Sequence, residues 1–407
     1  MPDAGGGYTV EEVRGALWAE AGGWSEGDIP PRPWIARGYL LRGAVTVLSG
    51  ASSVSKSTLA VGWAVSLALH QPLHRFVPHQ ACKVLVYNVE DDASEQRRRF
   101  SAVLRQFGAA SSALAGKVMR VGPHQVGTLL AKDLENNGAM GPTAAMVELQ
   151  DLVARFRPDV LILDPLVELH TAEENDNGAL RGIMAQFRTM AANPVPGCPE
   201  HKMAVAIVHH ARKGAAQATP GDTDTLRGAS SIVGAARIVV TVAGMTEAEA
   251  QGFGLSVDQR RSHFRVDSGK SNYSPTHEAE WYQRVEYELD NGDLVAAPVA
   301  WEPPVDVVSL DTRAAIEAGI AAGSGAGPWS AKLSNDPRSV RTLLARHGVA
   351  TPAGQRALLL ELAAAGYVTA EYRNAGHRVA HGLRASDGRP AHVRWVEAAH
   401  DGDTLPL

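Results

Sequence analysis

The sequence predicts an α/β fold built on a mostly parallel sheet, and two observations carry that expectation. First, five short aliphatic segments recur along the chain: "AVTVLS" (44–49), "KVLVYNV" (83–89), "DVLILD" (159–164), "MAVAIV" (203–208) and "RIVVTV" (237–242). They lack the polar alternation of a half-exposed strand, which is how strands buried on both faces of a parallel sheet read. Second, helix-like stretches separate them, at 56–69, 93–107, 143–156 and 178–192. Strand alternating with helix is the pattern of an α/β sheet.

Composition bounds the rest. A chain of 407 residues predicts one large domain with a smaller one. Its 45% hydrophobic and 20% charged residues exclude the disordered class. A net charge of −5 gives no global sign of nucleic-acid binding. Cys82 and Cys198 have no metal-ligand spacing, so a reducing cytoplasm is the expected compartment. No segment approaches the roughly 20 apolar residues of a membrane span, so no membrane partner is expected. The opening "MPDAGGGYTVEEV" has no basic stretch followed by an apolar core, so no secretory signal is expected.

Taken in order, residues 1–30 read as an N-terminal extension, and "IPPRPWIARGYL" (29–40) as an extended lead-in, because successive prolines exclude helix. The large domain is expected over 31–302. Its last part, about 264–300, contains "DNGD" between β-prone runs, which predicts a hairpin. Residues 303–330, with "EPPVD" at their start and "AAGSGAGP" near their end, read as a linker. The remainder, 331–400, is expected to be a small winged-helix-like domain: helix, helix, then β-hairpin. Within 331–395 ten Lys and Arg face four Asp and Glu, about +6, so DNA binding, protein binding and plain packing all remain open for it.

The loop "LSGASSVSKSTLAV" (48–61) follows the first strand and opens a helix, the context a phosphate-binding loop needs. Gly50, Lys56 and Ser57 fit GxxxxGK[ST], but Ser55 stands where glycine is expected. Backbone N–H groups of Ser53, Val54 and Ser55 would grip anionic oxygens at the helix start. Lys56 would reach the β- and γ-phosphates of ATP, and Ser57, with Thr58 beside it, would bind Mg²⁺. If the Ser55 φ is positive, strain of roughly 1–3 kcal/mol is expected there; if it is negative, serine fits and adds a donor. An ordinary serine-rich turn is the plainer alternative. Asp164 ends an apolar strand, where α/β folds place ligand-facing groups, and would hold Mg²⁺ through water, as the second half of the site with Ser57. Glu90 ends another and is best placed to polarise an attacking water. His209 and His210 end a further strand and could sense a γ-phosphate. Arg227 and Arg237 read either as surface arginines or as fingers reaching a neighbour's phosphates.

The segments "VEDD", "LILDPLVELHTAEENDNG", "VHHARKGA", "RGASSIVGAAR", "GMTEAEAQGFGLSVDQRR" and "DSGKSNY" together resemble the RecA-like ATPases. The likeness is greatest to RepA-type hexameric replicative helicases of broad-host-range plasmids and to related AAA-family ATPases of phages, over roughly residues 30–300. That resemblance implies a RecA-like P-loop ATPase core with Lys56 and Ser57 as the nucleotide-binding pair. It implies Glu90 as catalytic base, Asp164 as the Walker B aspartate, His210 as γ-phosphate sensor and Arg237 as finger arginine. Arg99 matches a recurrent arginine of less defined role. Loops 171–182 and 211–228 correspond to those lining a central channel, making Arg181, Arg212 and Lys213 candidates for gripping DNA phosphates. The expected protein is a homo-oligomer, a hexameric ring, on single-stranded DNA, with a primase or replication initiator as possible partner. The competing expectation is an ATP-dependent DNA-binding switch of a mobile element without unwinding activity. A small-molecule phosphotransferase is a third; no acceptor pocket is visible in the sequence for it.

Overall fold

The computed structural model describes residues 25–123, 127–133, 139–173, 176–198, 200–210, 230–253, 255–273, 279–303, 310–334, 336–349, 351–373, 379–385 and 394–395. The five expected strands are present as β1 (Val45–Gly50), β2 (Val84–Asn88), β4 (Val160–Asp164), β5 (Ala204–His210) and β6 (Ile238–Gly244). The four helices are α1 (Lys56–Leu69), α2 (Ala93–Gln106), α3 (Ala144–Phe156) and α4 (Asn177–Ala192). A further strand, β3 (Val118–Val121), escaped the sequence reading because it is four residues long and carries Arg120 in its apolar run.

These strands join β7 (His263–Ser271), β8 (Glu280–Glu288) and β9 (Leu294–Trp301) in one sheet of order β9-β8-β7-β6-β1-β5-β4-β2-β3. The pairs from β6 to β3 are all parallel, and those from β6 to β9 all antiparallel. The fold is therefore the expected RecA-like α/β core with a mostly parallel sheet. The expected hairpin is also observed: β8 and β9 pair around Leu289–Asp293, with Gly292 at φ +84°, a left-handed value that glycine adopts without a Cβ penalty.

Both faces of the parallel strands are covered, which is why their sequences show no polar alternation. Val84 and Val86 of β2 face one core with α1 and α2, while Leu85 and Tyr87 face the other with α3 and α4. Helix α1 is apolar nearly all round because both of its sides are covered. Its Gly62 leaves no room for a Cβ: an atom there would lie 2.8 Å from Leu73 and 3.0 Å from Pro298 of β9. Thus β9 packs over the helix that follows the serine-rich loop. The hairpin tip reaches α2 through Arg98–Asp293 at 2.6 Å and Arg105–Asp290 at 2.5 Å.

The range 303–330 is corrected. Instead of a linker only, it contains helix α5 (Leu310–Ala322), whose Ile316 and Ile320 are buried with Trp329, Val340, Leu344 and Leu362. Glycine-rich composition at 323–327 marks the end of this helix, where Gly323, Gly325 and Gly327 take positive φ, rather than a gap between folded units. Helices α6 (Val340–Arg346) and α7 (Pro352–Ala364), then the hairpin β10 (Tyr367–Arg373) and β11 (Val379–Ala385), follow the expected order. Among the described residues no helix is long and apolar enough to cross a membrane.

Candidate functional site

Parallel strands put all their C-terminal ends on one edge of the sheet, and that geometry assembles the site. The order β1-β5-β4-β2 sets the serine-rich loop beside His210, then Asp164, then the turn bearing Glu90. Gly50 registers with His210, and Asn88 with Asp164.

Gly50 is required by close approach. A Cβ there would lie 2.2 Å from the carbonyl oxygen of Val242 on β6. The loop then turns through Ser53 at φ +64° and Ser55 at φ +76°, ψ 22°. Both lie in the left-handed region, so the positive-φ alternative for Ser55 is the one observed, with the strain it entails. Val54 packs its side chain against the core. Ser53, Ser55, Lys56, Ser57 and Thr58 line a cleft of about 820 Å³ together with Glu90 and His210.

Around the loop, Lys56, His210 and Asp164 are each pushed toward neutrality. The buried Lys56 ammonium donates to the Ala51 carbonyl at 2.6 Å and lies 3.2 Å from His210 Nδ1. Burial pulls the Lys56 pKa down to about 8, against the opposing pull of Asp164 and Glu90. His210 is held below its ordinary pKa by burial and by Lys56, so its Nδ1 accepts from the ammonium and its proton sits on Nε2. Ser57 Oγ donates to Asp164 Oδ1 at 3.2 Å. Burial pushes Asp164 up to about 6, with the Ser57 hydrogen bond opposing. Glu90 is exposed on the cleft wall.

Asn88 is the organising residue the sequence reading missed. Its Oδ1 accepts from the amides of Glu90 and Asp91 at 2.9 and 2.6 Å. Its Nδ2 makes long contacts of 3.4 Å to both Asp164 Oδ2 and Asp91 Oδ2. One side chain thus fixes the turn carrying Glu90 and ties it to the Asp164 strand. An Asn two residues before an acidic run is an Asx-turn signal that could have found it. Arg99 pairs with Asp91 at 3.0 Å and Glu95 at 3.1 Å. Arg284, also missed, reaches the loop from β8 and donates to the Ser53 carbonyl at 3.2 Å.

Ser57 Oγ and the Asp164 carboxylate form an oxygen-only pair in which burial outweighs the nearby positive charge of Arg99, and this fits Mg²⁺. Among the described residues no group of three or more His, Cys, Asp or Glu could hold a metal by itself. Mg²⁺ needs none, because it takes one or two protein oxygens and completes its shell with phosphate and water.

Other expected residues lie apart. Arg237 is exposed and precedes β6, its amide bonded to the carbonyl of Val45 at the start of β1. From there to Gly50 is five strand residues, about 16 Å at roughly 3.3 Å each. Arg237 is therefore at the far end of β1 from its own loop. Arg181 is exposed on α4. Arg212, Lys213 and Arg227 lie outside the described residues.

Residues 12–216 match a family model described as AAA domain. The match spans half of the chain and contains the loop, Glu90, Asp164 and His210.

Proposed function

Because the chain belongs to the AAA-domain family of P-loop ATPases, we propose that it hydrolyses ATP with Mg²⁺ as a ring-forming, RepA-type motor on single-stranded DNA. The observation carrying this reading is the convergence of Lys56, the Ser57–Asp164 pair, Glu90 and His210 on one cleft of about 820 Å³. That volume lies in the range of small-molecule sites, roughly 300–1,000 Å³.

The roles follow from the groups present. Lys56 binds the β- and γ-phosphates, exchanging its Ala51 contact for phosphate oxygens. Ser57 and Asp164 would hold the metal, which would supply positive charge to offset that of the phosphates. Glu90 accepts the proton of the attacking water. His210, in contact with Lys56, registers the γ-phosphate and passes its loss to the segment after β5. Arg237 acts on the nucleotide of a neighbouring subunit, since five strand residues separate it from its own loop. This is the physical reason for a ring.

Left-handed Ser53 and Ser55 favour a second reading, in which turnover is slow and ATP occupancy switches DNA binding without unwinding. ATPase activity with and without single-stranded DNA, read beside the mass of the assembly, tests the first. Strand displacement separates the two: ATP-dependent unwinding is expected, and DNA binding that follows ATP occupancy without unwinding leaves the switch.

A further inference from the structure

Two serines in left-handed conformations raise the question of what holds the loop. Intrinsic backbone preference does not, since residues with a Cβ disfavour positive φ by roughly 1–2 kcal/mol each. Lys56 braces the start of the loop through the Ala51 carbonyl. The middle is braced from outside the parallel half. Arg284, on β8, donates through Nη1 to the Ser53 carbonyl at 3.2 Å and through Nη2 to the Arg261 carbonyl. Its own amide is bonded to the Ser262 carbonyl at 2.7 Å, and its strand position opposite Pro298 is fixed by the β8–β9 pairing. Among the described residues no carboxylate acts on the Arg284 charge, although Glu286 lines the same cleft. Burial alone lowers its pKa. A half-buried guanidinium spent on two backbone carbonyls is suited to fixing main chain rather than to balancing charge.

We propose that Arg284 is a positioning residue that clamps the phosphate loop in its left-handed conformation, standing in for the glycine absent at position 55. The proposal rests on the nucleotide-binding reading of the loop. It makes the antiparallel extension a working part of the site. A loop whose competent conformation is only partly populated binds its ligand with an affinity reduced by that fraction. The clamp raises the fraction. Glycine populates positive φ about as readily as negative φ, so a glycine loop needs the clamp less.

The test is a double-mutant cycle. With the native loop, Arg284→Gln raises the Kd for Mg²⁺-ATP about tenfold, in the range for a hydrogen bond to a charged donor. In the Ser53→Gly/Ser55→Gly background the same change raises Kd less than about threefold. Arg284→Lys behaves like Arg284→Gln, because the shorter side chain with a single nitrogen lacks the reach and spread of the two Nη atoms that span the Ser53 and Arg261 carbonyls. Amide exchange at residues 53–57 of the nucleotide-free protein rises in Arg284→Gln, and this readout does not depend on whether ATP binds. Equal loss of affinity in both loop backgrounds would overturn the proposal, since Arg284 would then be touching nucleotide. So would wild-type affinity in Arg284→Lys, or unchanged exchange in Arg284→Gln. A wild-type chain that binds no nucleotide sinks the functional reading instead, and exchange alone then decides the clamp.

Discussion

The parallel and antiparallel halves of the sheet treat buried charge in opposite ways. At the C-terminal ends of the parallel strands, burial is the largest influence and outweighs the opposing charges and hydrogen bond: Lys56 falls to about 8 and Asp164 rises to about 6. In the antiparallel half, burial also opposes the charge of Arg265, yet Asp267 and Glu249 outweigh it and raise its pKa. Arg265 Nη2 lies 2.5 Å from Asp267 Oδ1, and Nη1 reaches Glu249. Poised, unbalanced charge marks the part of a protein that awaits a ligand, whereas balanced charge marks scaffold. The extension is not uniform: on β8, burial alone lowers the Arg284 pKa, and burial pushes Glu280 up to about 7, with Tyr282 donating to Glu280 at 3.0 Å.

The contrast can be broken by substitution, and the largest effect is expected at Lys56. Lys56→Ala should lower ATP turnover by about 10³-fold or more; wild-type turnover would remove the loop from the chemistry. Arg237→Ala comes next, reducing hydrolysis about 10³-fold while ATP affinity stays within about threefold. Single-turnover hydrolysis and equilibrium binding check this, and unchanged hydrolysis strips Arg237 of the finger role.

Stability changes should then have opposite signs in the two halves. Arg265→Met leaves Asp267 and Glu249 without their cation and should destabilise the protein by about 2–3 kcal/mol in urea unfolding. Asp164→Asn should stabilise the nucleotide-free protein at pH 8 by about 1–2 kcal/mol while removing turnover. The sign follows from a folded pKa above the ordinary 3.8. The folded state holds its proton the more tightly, so the cost of the charge is absent below about pH 4 and complete above about pH 6. A gain at pH 4 as large as that at pH 8 would contradict it.

The smallest effect is a slope. ATP affinity should be level below pH 8 and fall above it by up to about tenfold per unit, because binding needs the Lys56 ammonium. Isothermal titration from pH 7 to 9.5 measures it, and Lys56→Arg should flatten the curve.

Much of this was legible in the chain, and the reason is locality. Aliphatic runs without alternation fix buried strands, because both faces of each are covered. The residue ending such a run is carried to the sheet edge whatever the rest of the chain does. Gly50, Asp164 and His210 were located this way and stand at strand ends, Glu90 lies in the turn two residues past one, and Lys56 and Ser57 were placed by the GxxxxGK[ST] spacing. Position 55 shows the limit: sequence posed two values of φ for a serine, and only the surrounding contacts selected the left-handed one. The 303–330 boundary failed for a related reason, since glycines ending a buried helix have the composition of glycines in a linker.

What the sequence determined alone, then, is the set of parallel strands and the polar groups at their tips, because periodicity and strand-end position depend on neighbours in the chain. Tertiary structure decided which distant groups meet them. Arg284 lies 231 residues from Ser53 in sequence, and nothing in its local surroundings distinguishes it from a surface arginine. Folding of β7 to β9 back over α1 brought it to the loop, and the same strand register set Arg237 too far along the sheet to serve its own site.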